Sequence, residues 1–450
     1  MTKHINMTQG KPLQLLFAFA LPLMFGNVFQ QLYTVVDTAI VGRGVGMDAL
    51  AALGTVDWLN WLLLGVAQGL TQGFSVRIAQ KFGQGDMKGL RQTAGQSALL
   101  SAVIALVCTF AIQLVLPYVL VLLRVPEDLR AMASLYTRVL MAGLPAVVFY
   151  NYCAGVLRAI GDSRTPLIAM VVAALTNILL DCVAVFWLGW GIVGAAAATV
   201  FAQLLSGVIC ACHIRKIPGL RFGKPQLVLA AKDCLDLMRI GTPIAAKNVI
   251  IALGGMVIQS IVNGFDMSFI AGFTATNKLY GLLECSAIAL GASFTTFGSQ
   301  NFGAGDYKRV RRGVNVAMVL AVSVACVLAA IVLPLRYYLP QIFIDMSEPG
   351  AADAVDVAAK YLRNMILSMP ILYLVYVHRN NLQAIGNTVW SLVSGIAEAA
   401  SRVIMAKFFL AAAGVEILFY VEPVAWLMAW VFVLFPYYYY QRRLLPVAPR

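Results

Sequence analysis

The chain has 450 residues, of which 61% are hydrophobic and 12% charged, and its formal net charge is +13. Soluble proteins carry about 25% charged residues, so these charges are too few to cover a water-facing surface. Intrinsic disorder is excluded because it requires low hydrophobicity. The composition therefore predicts a polytopic membrane protein.

Apolar runs of about 20 residues, long enough to cross a bilayer, recur along the whole sequence. They are continuous and not alternating, which predicts an all-α fold. The first run is too long for the core of a cleavable signal and carries polar residues. The twelve predicted transmembrane helices lie near 13–38, 50–80, 92–117, 132–157, 167–188, 192–212, 237–262, 268–300, 314–334, 357–382, 388–411 and 417–441.

Two short motifs occur twice in the sequence. Phe82-Gly-Gln-Gly-Asp86 recurs as Phe302-Gly-Ala-Gly-Asp306, and Ala159-Ile-Gly-Asp162 recurs as Ala384-Ile-Gly-Asn387, at offsets of 220 and 225. We interpret the glycine-aspartate motifs as tight connections between helices. The repeat predicts two pseudo-symmetric six-helix lobes, a plan that transporters use with the substrate between the halves. The predicted segments are an N-terminal lobe, a cytoplasmic linker and a C-terminal lobe, at 1–212, 213–236 and 237–450.

The basic residues are distributed unevenly across the predicted membrane. With both termini on one side, 22 of the 33 basic residues, including Arg379, lie on that side and five on the other. Basic residues concentrate on the cytoplasmic side, so both termini are predicted to be cytoplasmic. The excess charge follows from this orientation, and we expect no nucleic-acid partner.

Ionisable residues within the predicted spans each cost about 2.5–3.5 kcal/mol to insert, so each is a functional candidate. Glu398 and Arg402 are four residues apart on one helix face, which favours a structural ion pair. For Lys247, Lys278 and Glu284, a functional role and a structural role remain equally open.

The first half carries acids without nearby basic residues. Asn177 and Asp181 share one face of the fifth span, and a rise of about 1.5 Å per residue puts Asp181 about 21 Å into the membrane. Thr199 lies at a similar depth, and Asp37 belongs to the same outer half. These groups suit Na⁺ or a carboxylate that takes up a proton, with a satisfied polar core as the alternative. The second half lacks this cluster, because Arg402 and Ala406 replace the fifth-span pair.

Further polar and aromatic residues are candidates for lining a substrate cavity. Aromatic faces can contact organic cations, although interfacial anchoring is the alternative for a tryptophan. Neither H-E-x-x-H nor G-x-S-x-G is found, and we expect no enzymatic activity. The cavity candidates are Gln30, Tyr33, Thr34, Asp57, Trp61, Gln68 and Glu284.

The twelve spans, the repeated turns and the stretch from Gln30 to Gly42 resemble the multidrug and toxic compound extrusion (MATE) transporters over essentially the whole chain. The resemblance implies an antiporter in the bacterial inner membrane that exports amphipathic, often cationic, compounds in exchange for Na⁺ or H⁺. It implies no cofactor besides the coupling ion. We expect a monomer whose partners are small-molecule substrates and the lipid bilayer.

The ion-site residues resemble those of the DinF-like branch of this family. The resemblance matches Asp37, Asn177, Asp181 and Thr199, and adds Asn151 in the fourth span. It also implies that the first span bends at Pro22, which precedes Asp37 by fifteen residues. The alternative function is a flippase for a lipid-linked saccharide, whose pyrophosphate would require cationic residues such as Lys247 and Lys278.

Overall fold

The computed structural model describes residues 5–122, 125–221, 223 and 226–444, and this part of the chain is helical without strands. The helices are α1 Pro12–Gly44, α2 Met47–Gly83, α3 Met87–Leu122, α4 Glu127–Ala142, α5 Leu144–Ala159, α6 Arg164–Cys182, α7 Gly191–Lys216, α8 Ala231–Val262, α9 Met267–Gly303, α10 Tyr307–Val332, α11 Ala351–Ala384, α12 Val389–Ile404, α13 Leu410–Ala413 and α14 Val421–Leu444.

The predicted all-α fold is confirmed, and each predicted span coincides with helical structure. Within the described residues, nine helices are long and apolar enough to cross a membrane, or ten if the α4–α5 pair counts as one span. The other two predicted spans correspond to α2 and α11. In α11, the polar residues from His378 to Gln383 lower the hydropathy, and their side chains are buried.

The fourth predicted span, 132–157, is not one straight helix. It breaks at Gly143 between α4 and α5, which are bent by 42°. Pro145 lies in the first turn of α5, where its missing N–H and its ring interrupt a continuous helix. A side chain at Gly143 would collide with Val200 of α7, since its Cβ would lie 2.1 Å from Val200 Cγ2.

The helices form two compact units. Among the described residues, unit 1 contains Ile5 and Asn6 with Phe25–Ala245, and unit 2 contains Met7–Met24 with Ala246–Leu444. Both α1 and α8 are therefore divided between the units. Each division comes two residues after a proline inside the helix, Pro22 in α1 and Pro243 in α8.

Within unit 1, α2 approaches the first part of α8 very closely. A Cβ at Gly73 would lie 2.4 Å from the Cα of Gly241, and a Cβ at Gly69 would lie 2.5 Å from the Cα of Ala245. Only glycine fits at such a separation, because any side chain would overlap the facing backbone. These two glycines fix the distance between the two helix axes.

The repeated glycine-aspartate motifs form short helix connections, as predicted. Gly85 and Gly305 adopt positive φ angles of 72° and 75°. The next residue then accepts a hydrogen bond from the following helix: Asp86 Oδ1 from the Gly89 N–H at 2.8 Å, and Asp306 Oδ1 from the Arg309 N–H at 2.9 Å. Both motifs therefore reverse the chain and cap the helix that follows.

A second repeated irregularity occurs where α6 and α12 end. α6 continues into a π-helical segment at Val183–Trp187, and α12 into another at Met405–Phe409. In unit 1, the first segment packs against the end of α1, where a Cβ at Gly44 would lie 2.3 Å from Val185 Cγ1. Short π-helical turns inside longer helices are frequent near functional sites.

Candidate functional site

Two acidic side chains from α1 and α6 meet inside unit 1. Asp37 is 9% exposed, and Asp181 is fully buried. Their carboxyl groups are close enough to interact directly with each other. Two ionised carboxylates in such contact repel each other, so the pair is stabilised by a shared proton or by a cation.

The same cluster contains buried oxygen atoms without a hydrogen-bond donor from the protein. They are Asp37 Oδ1, both carboxyl oxygens of Asp181 and Asn177 Oδ1, and no described residue donates to any of them. A buried acceptor left unpaired costs about 1–3 kcal/mol. Oxygen ligands are also what hard cations prefer. The cluster is therefore suited to binding Na⁺ or a proton.

Asn177 and Thr199 complete the predicted group. Asn177 is 1% exposed and lies one helical turn before Asp181 on the same face of α6. Its Nδ2 donates a hydrogen bond to Thr199 Oγ1 of α7 at 3.4 Å. The structure thus brings together residues from α1, α6 and α7 that the sequence predicted to share one depth.

Asn151, the residue added by the resemblance, makes a local contact. Its Nδ2 donates to the Val147 carbonyl at 2.9 Å, one turn earlier in α5. The amide nitrogen is therefore bound within its own helix, and a role for Asn151 in ion binding stays a prediction.

A cavity in unit 1 adjoins the predicted ion site. Asn177 and Thr199, two residues of that site, line the cavity. The Tyr33 side chain lies near Gln203 of α7 and near its α1 neighbours Gln30 and Thr34. Two of the predicted ion-site residues therefore belong to the wall of this cavity. The polar residues that line this cavity are Tyr33, Tyr150, Asn177, Thr199, Gln203 and Ser206.

The α2 residues that the sequence predicted to line a substrate cavity do not line this cavity of unit 1. Asp57, Trp61 and Gln68 are exposed, and the described lining of the cavity includes none of them. Asp57 lies close enough to Asp37 to interact with it electrostatically. Their contribution to a substrate site stays a prediction.

The MatE family profile matches residues 22–183 and 243–408, which together cover most of the chain. The chain belongs to the MatE family. The two matched segments lie in different halves of the sequence and begin at Pro22 and Pro243, in agreement with the predicted duplication. As a member of this family, the protein is a multi-pass membrane transporter and not an enzyme.

Comparisons with other MATE proteins agree with this assignment. The probable multidrug resistance protein YpnP of Bacillus subtilis (strain 168) is 27% identical over 391 residues, 87% of this chain and 86% of that protein. The probable multidrug resistance protein YoeA of the same strain is 24% identical over 386 residues, 84% and 82% of the two chains. An outward-facing structure of a multidrug resistance MATE family transporter of the MOP superfamily has a TM-score of 0.90, 21% identity and 99% coverage of both chains.

In unit 2 of this MATE transporter, the predicted ion pair is part of a larger buried network. Glu398 accepts hydrogen bonds from Arg402 at 2.9 Å and from Arg379 at 2.8 Å. Arg402 also contacts Glu422 at 2.7 Å. The prediction that Glu398 and Arg402 form a pair is confirmed, and α11 and α14 each contribute a further member.

The other three charged candidates of unit 2 differ in their surroundings. Glu284 accepts a hydrogen bond from Tyr376 at 2.8 Å and contacts Tyr280. Lys247 lies near Glu398, whereas Lys278 is exposed. The network and its charged neighbours, without Lys278, contain three basic and three acidic residues, so their formal charges cancel. These residues are Lys247, Arg379, Arg402, Glu284, Glu398 and Glu422.

The acidic pair of unit 1 has no such balance. Among the described residues, neither Asp37 nor Asp181 forms an ion pair with lysine or arginine. An uncompensated buried carboxylate is costly unless a proton or cation neutralises it. The difference between the two units favours unit 1 as the place where a coupling ion binds.

The sequence did not predict two members of this network, Arg379, which is buried, and Glu422, which is partly buried. Arg379 is assigned to the cytoplasmic side by charge counting, but in the structure it is 4% exposed and bound to Glu398. A signal for this was available, since Arg379 lies within the predicted span 357–382 and among polar residues that are rare in lipid-facing helices.

Proposed function

We propose that this MATE protein is a secondary active antiporter that exports amphipathic, cationic drugs or metabolites in exchange for Na⁺ or H⁺. The observation that carries this proposal is the group of buried oxygens of Asp37, Asn177 and Asp181, to which no described residue donates. The multidrug resistance names of YpnP and YoeA support the class of substrate.

The proposed coupling depends on residues shared by the ion site and the adjoining cavity. Asn177 and Thr199 belong to both. Binding of the ion to Asp37 and Asp181 from outside would change the cavity wall and release the substrate, and release of the ion inside would reset the carrier. A ligand shifts such an equilibrium only through different affinities for the two states.

Pro22 is the proposed hinge of α1. A proline inside a helix has no N–H to donate, so the carbonyl of Ala18 loses its helical partner and the helix bends more easily there. Asp37 lies in the part of α1 beyond this proline. Bending at Pro22 would therefore alter the surroundings of Asp37.

We further propose that the protein is a monomer in the inner membrane of a bacterium, with cytoplasmic termini. The concentration of basic residues on one side and the bacterial relatives support this location. The matching ion-site residues favour the DinF-like branch. No cofactor besides Na⁺ or H⁺ and no nucleic-acid partner is expected.

Transport in proteoliposomes tests the proposal. Asp37→Asn and Asp181→Asn should each abolish gradient-driven export of a cationic dye while the protein remains folded. Asp356→Asn, which changes an exposed acid of α11, should leave export unchanged. Wild-type export by both site variants would exclude the unit 1 site.

The same preparation identifies the coupling ion and distinguishes the alternative function. A Na⁺ gradient imposed at constant pH, and a pH gradient imposed at constant Na⁺, should differ in their ability to drive export. A flippase for a lipid-linked saccharide, which Lys247 and Lys278 kept open as the alternative, would produce no drug-stimulated flux of either ion.

A further inference from the structure

Unit 2 contains a second polar cavity, far in the sequence from Asp37 and Asp181. It lies where α9 and α11 end, where α10 begins and in the last turns of α14. Its apolar part comes from Phe302, Val310 and Ile385. The polar residues that line it are Tyr307, Arg311, Asn381, Tyr437, Tyr440 and Gln441.

Two of these residues have unused binding capacity. Asn381 is 4% exposed, and no described residue donates a hydrogen bond to its Oδ1. Arg311 is exposed and forms none of the ion pairs found in the described part of the chain. An arginine pairs best with a phosphate or carboxylate, whereas an amide carbonyl needs a donor. Arg311 and Asn381 thus provide contacts for a molecule that carries both an anionic group and a hydroxyl or amine.

In unit 1, the positions that correspond to Val310 and Asn381 both carry apolar side chains. At the repeat offsets of 220 and 225, Val310 and Asn381 correspond to Leu90 and Val156, each 1% exposed. Both belong to a core cluster that also includes Leu220 of the linker. The fold therefore tolerates a packed apolar core at this position. The buried amide of Asn381 is therefore an added feature of unit 2, whereas Arg311 has a counterpart in unit 1, Arg91.

The surface of α14 next to the cavity has the character of a membrane interface. Phe435 is 72% exposed and Tyr438 57% exposed, and the guanidinium of Arg443 lies 5.4 Å from the centre of the Tyr439 ring. Aromatic residues followed by basic residues are typical of a helix that passes from the hydrocarbon core to the headgroups. A lipid could place its acyl chains along α14 and its headgroup in the cavity.

We propose that this cavity binds the headgroup of phosphatidylglycerol. The phosphodiester would pair with Arg311, and a hydroxyl of the terminal glycerol would donate to Asn381 Oδ1. The tyrosine hydroxyls can supply further donors to the phosphate oxygens. This lipid site goes beyond the proposed antiport function and does not depend on it.

Native mass spectrometry of the purified full-length protein, titrated with phosphatidylglycerol, tests the proposal. Arg311→Gln should weaken binding about tenfold, as expected for the loss of one charge-assisted contact. The matched control is Arg312→Gln, which removes the same charge from an exposed neighbouring residue that does not line the cavity. Its effect should stay within about twofold, because an exposed charge outside the cavity makes no direct contact with the headgroup and is screened by solvent.

A second variant tests the contact of the glycerol hydroxyl. Asn381→Val introduces the residue found at the corresponding position of unit 1, and it should reduce the affinity for phosphatidylglycerol to that for phosphatidic acid. Both arginine variants change exposed side chains, so they keep the test valid if Asn381→Val does not fold.

Three results would overturn the lipid site. Equal losses for Arg311→Gln and Arg312→Gln would indicate general electrostatic attraction. If phosphatidylcholine bound as tightly as phosphatidylglycerol, the cavity would not recognise the headgroup. Competition by free glycerol phosphate at the concentration at which the lipid binds would identify a site for a soluble phosphate ester instead.

Discussion

Asn177 Nδ2 donates a hydrogen bond to Thr199 Oγ1 across 3.4 Å, and this contact joins α6 to α7 inside unit 1. Because the nitrogen of the amide is engaged, its oxygen remains as a buried acceptor in the cluster that contains Asp181. In the proposed ion site, Thr199 would act in two ways, through its own hydroxyl and through the orientation of Asn177.

Thr199→Val should weaken binding of the coupling ion by about two- to tenfold, the range expected when one neutral hydrogen bond of about 0.5–1.5 kcal/mol is lost. The concentration of Na⁺, or the pH, that gives half-maximal export in proteoliposomes measures this change. Thr176→Val is the control, because the Thr176 hydroxyl donates at 2.8 Å to the Val172 carbonyl of its own helix. Equal effects of the two variants would contradict the role of Thr199.

Asp181→Asn should remove any stabilisation of the folded protein by Na⁺. A ligand that binds only the folded state raises the melting temperature as its concentration increases. If Na⁺ is the coupling ion, replacing KCl by NaCl at constant ionic strength should raise the Tm of the wild type and of Asp356→Asn. The Tm of Asp181→Asn should not respond. A wild-type Tm that is insensitive to Na⁺ would instead favour protons.

Glu398→Gln should strongly destabilise unit 2. Glu398 bridges Arg379 and Arg402, and removing one partner from a buried charge network costs about 3–5 kcal/mol. The exposed pair of Asp356 and Lys360, 2.7 Å apart, provides the control, since an exposed helical pair contributes only about 0.3–0.5 kcal/mol. Thermal unfolding in detergent should give a much lower Tm for Glu398→Gln than for Asp356→Asn. An unchanged Tm with loss of export would assign Glu398 to transport.

Gly73→Ala should lower the Tm, because the added methyl group would lie 2.4 Å from the Cα of Gly241 and would force α2 and α8 apart. Gly54 of the same helix has no heavy atom within 4 Å of the Cβ position. Gly54→Ala should therefore raise the stability by about 0.8–1.0 kcal/mol, the difference in helix propensity. A lower Tm for both variants would mean that the close approach of α2 and α8 does not explain the destabilisation by Gly73→Ala.

Asp86, in the connection between α2 and α3, should make the start of α3 sensitive to pH. The Gly89 N–H and the Lys81 ammonium, 3.0 Å away, hold the pKa of Asp86 below its usual value. A lowered pKa contributes stability at higher pH that is lost as the pH falls through that pKa. Amide hydrogen exchange, compared with the intrinsic rate at each pH, should be less protected at the start of α3 in acid. In Asp86→Ala, protection at the start of α3 should already be low at neutral pH. If the pH dependence of protection in this variant equalled that of the wild type, the proposed role of Asp86 would be contradicted.

The features predicted correctly from the sequence are those that depend on local pattern. Apolar runs locate the spans, and four-residue spacing places Asn177 and Asp181 on one face of α6. The burial of Arg379 was not predicted, because charge counting assigns a residue to a side of the membrane by its place in the chain and gives no information on burial. Its burial depends on α12, which supplies Glu398 and Ser394 as partners. Neighbours that distant in sequence are not visible in a hydropathy pattern.

The π-helical segment Val183–Trp187 sets the direction in which Val185 points relative to Asp181 around the axis of the same span. Asp181 lies just before the segment, and Val185, which packs against Gly44, lies within it. Each residue of an α-helix turns the following chain by about 100°. Deleting one residue after Asp181 would therefore rotate Val185 away from Gly44 and change how α1 meets α6. The acidic pair could then be separated without any change to a polar side chain.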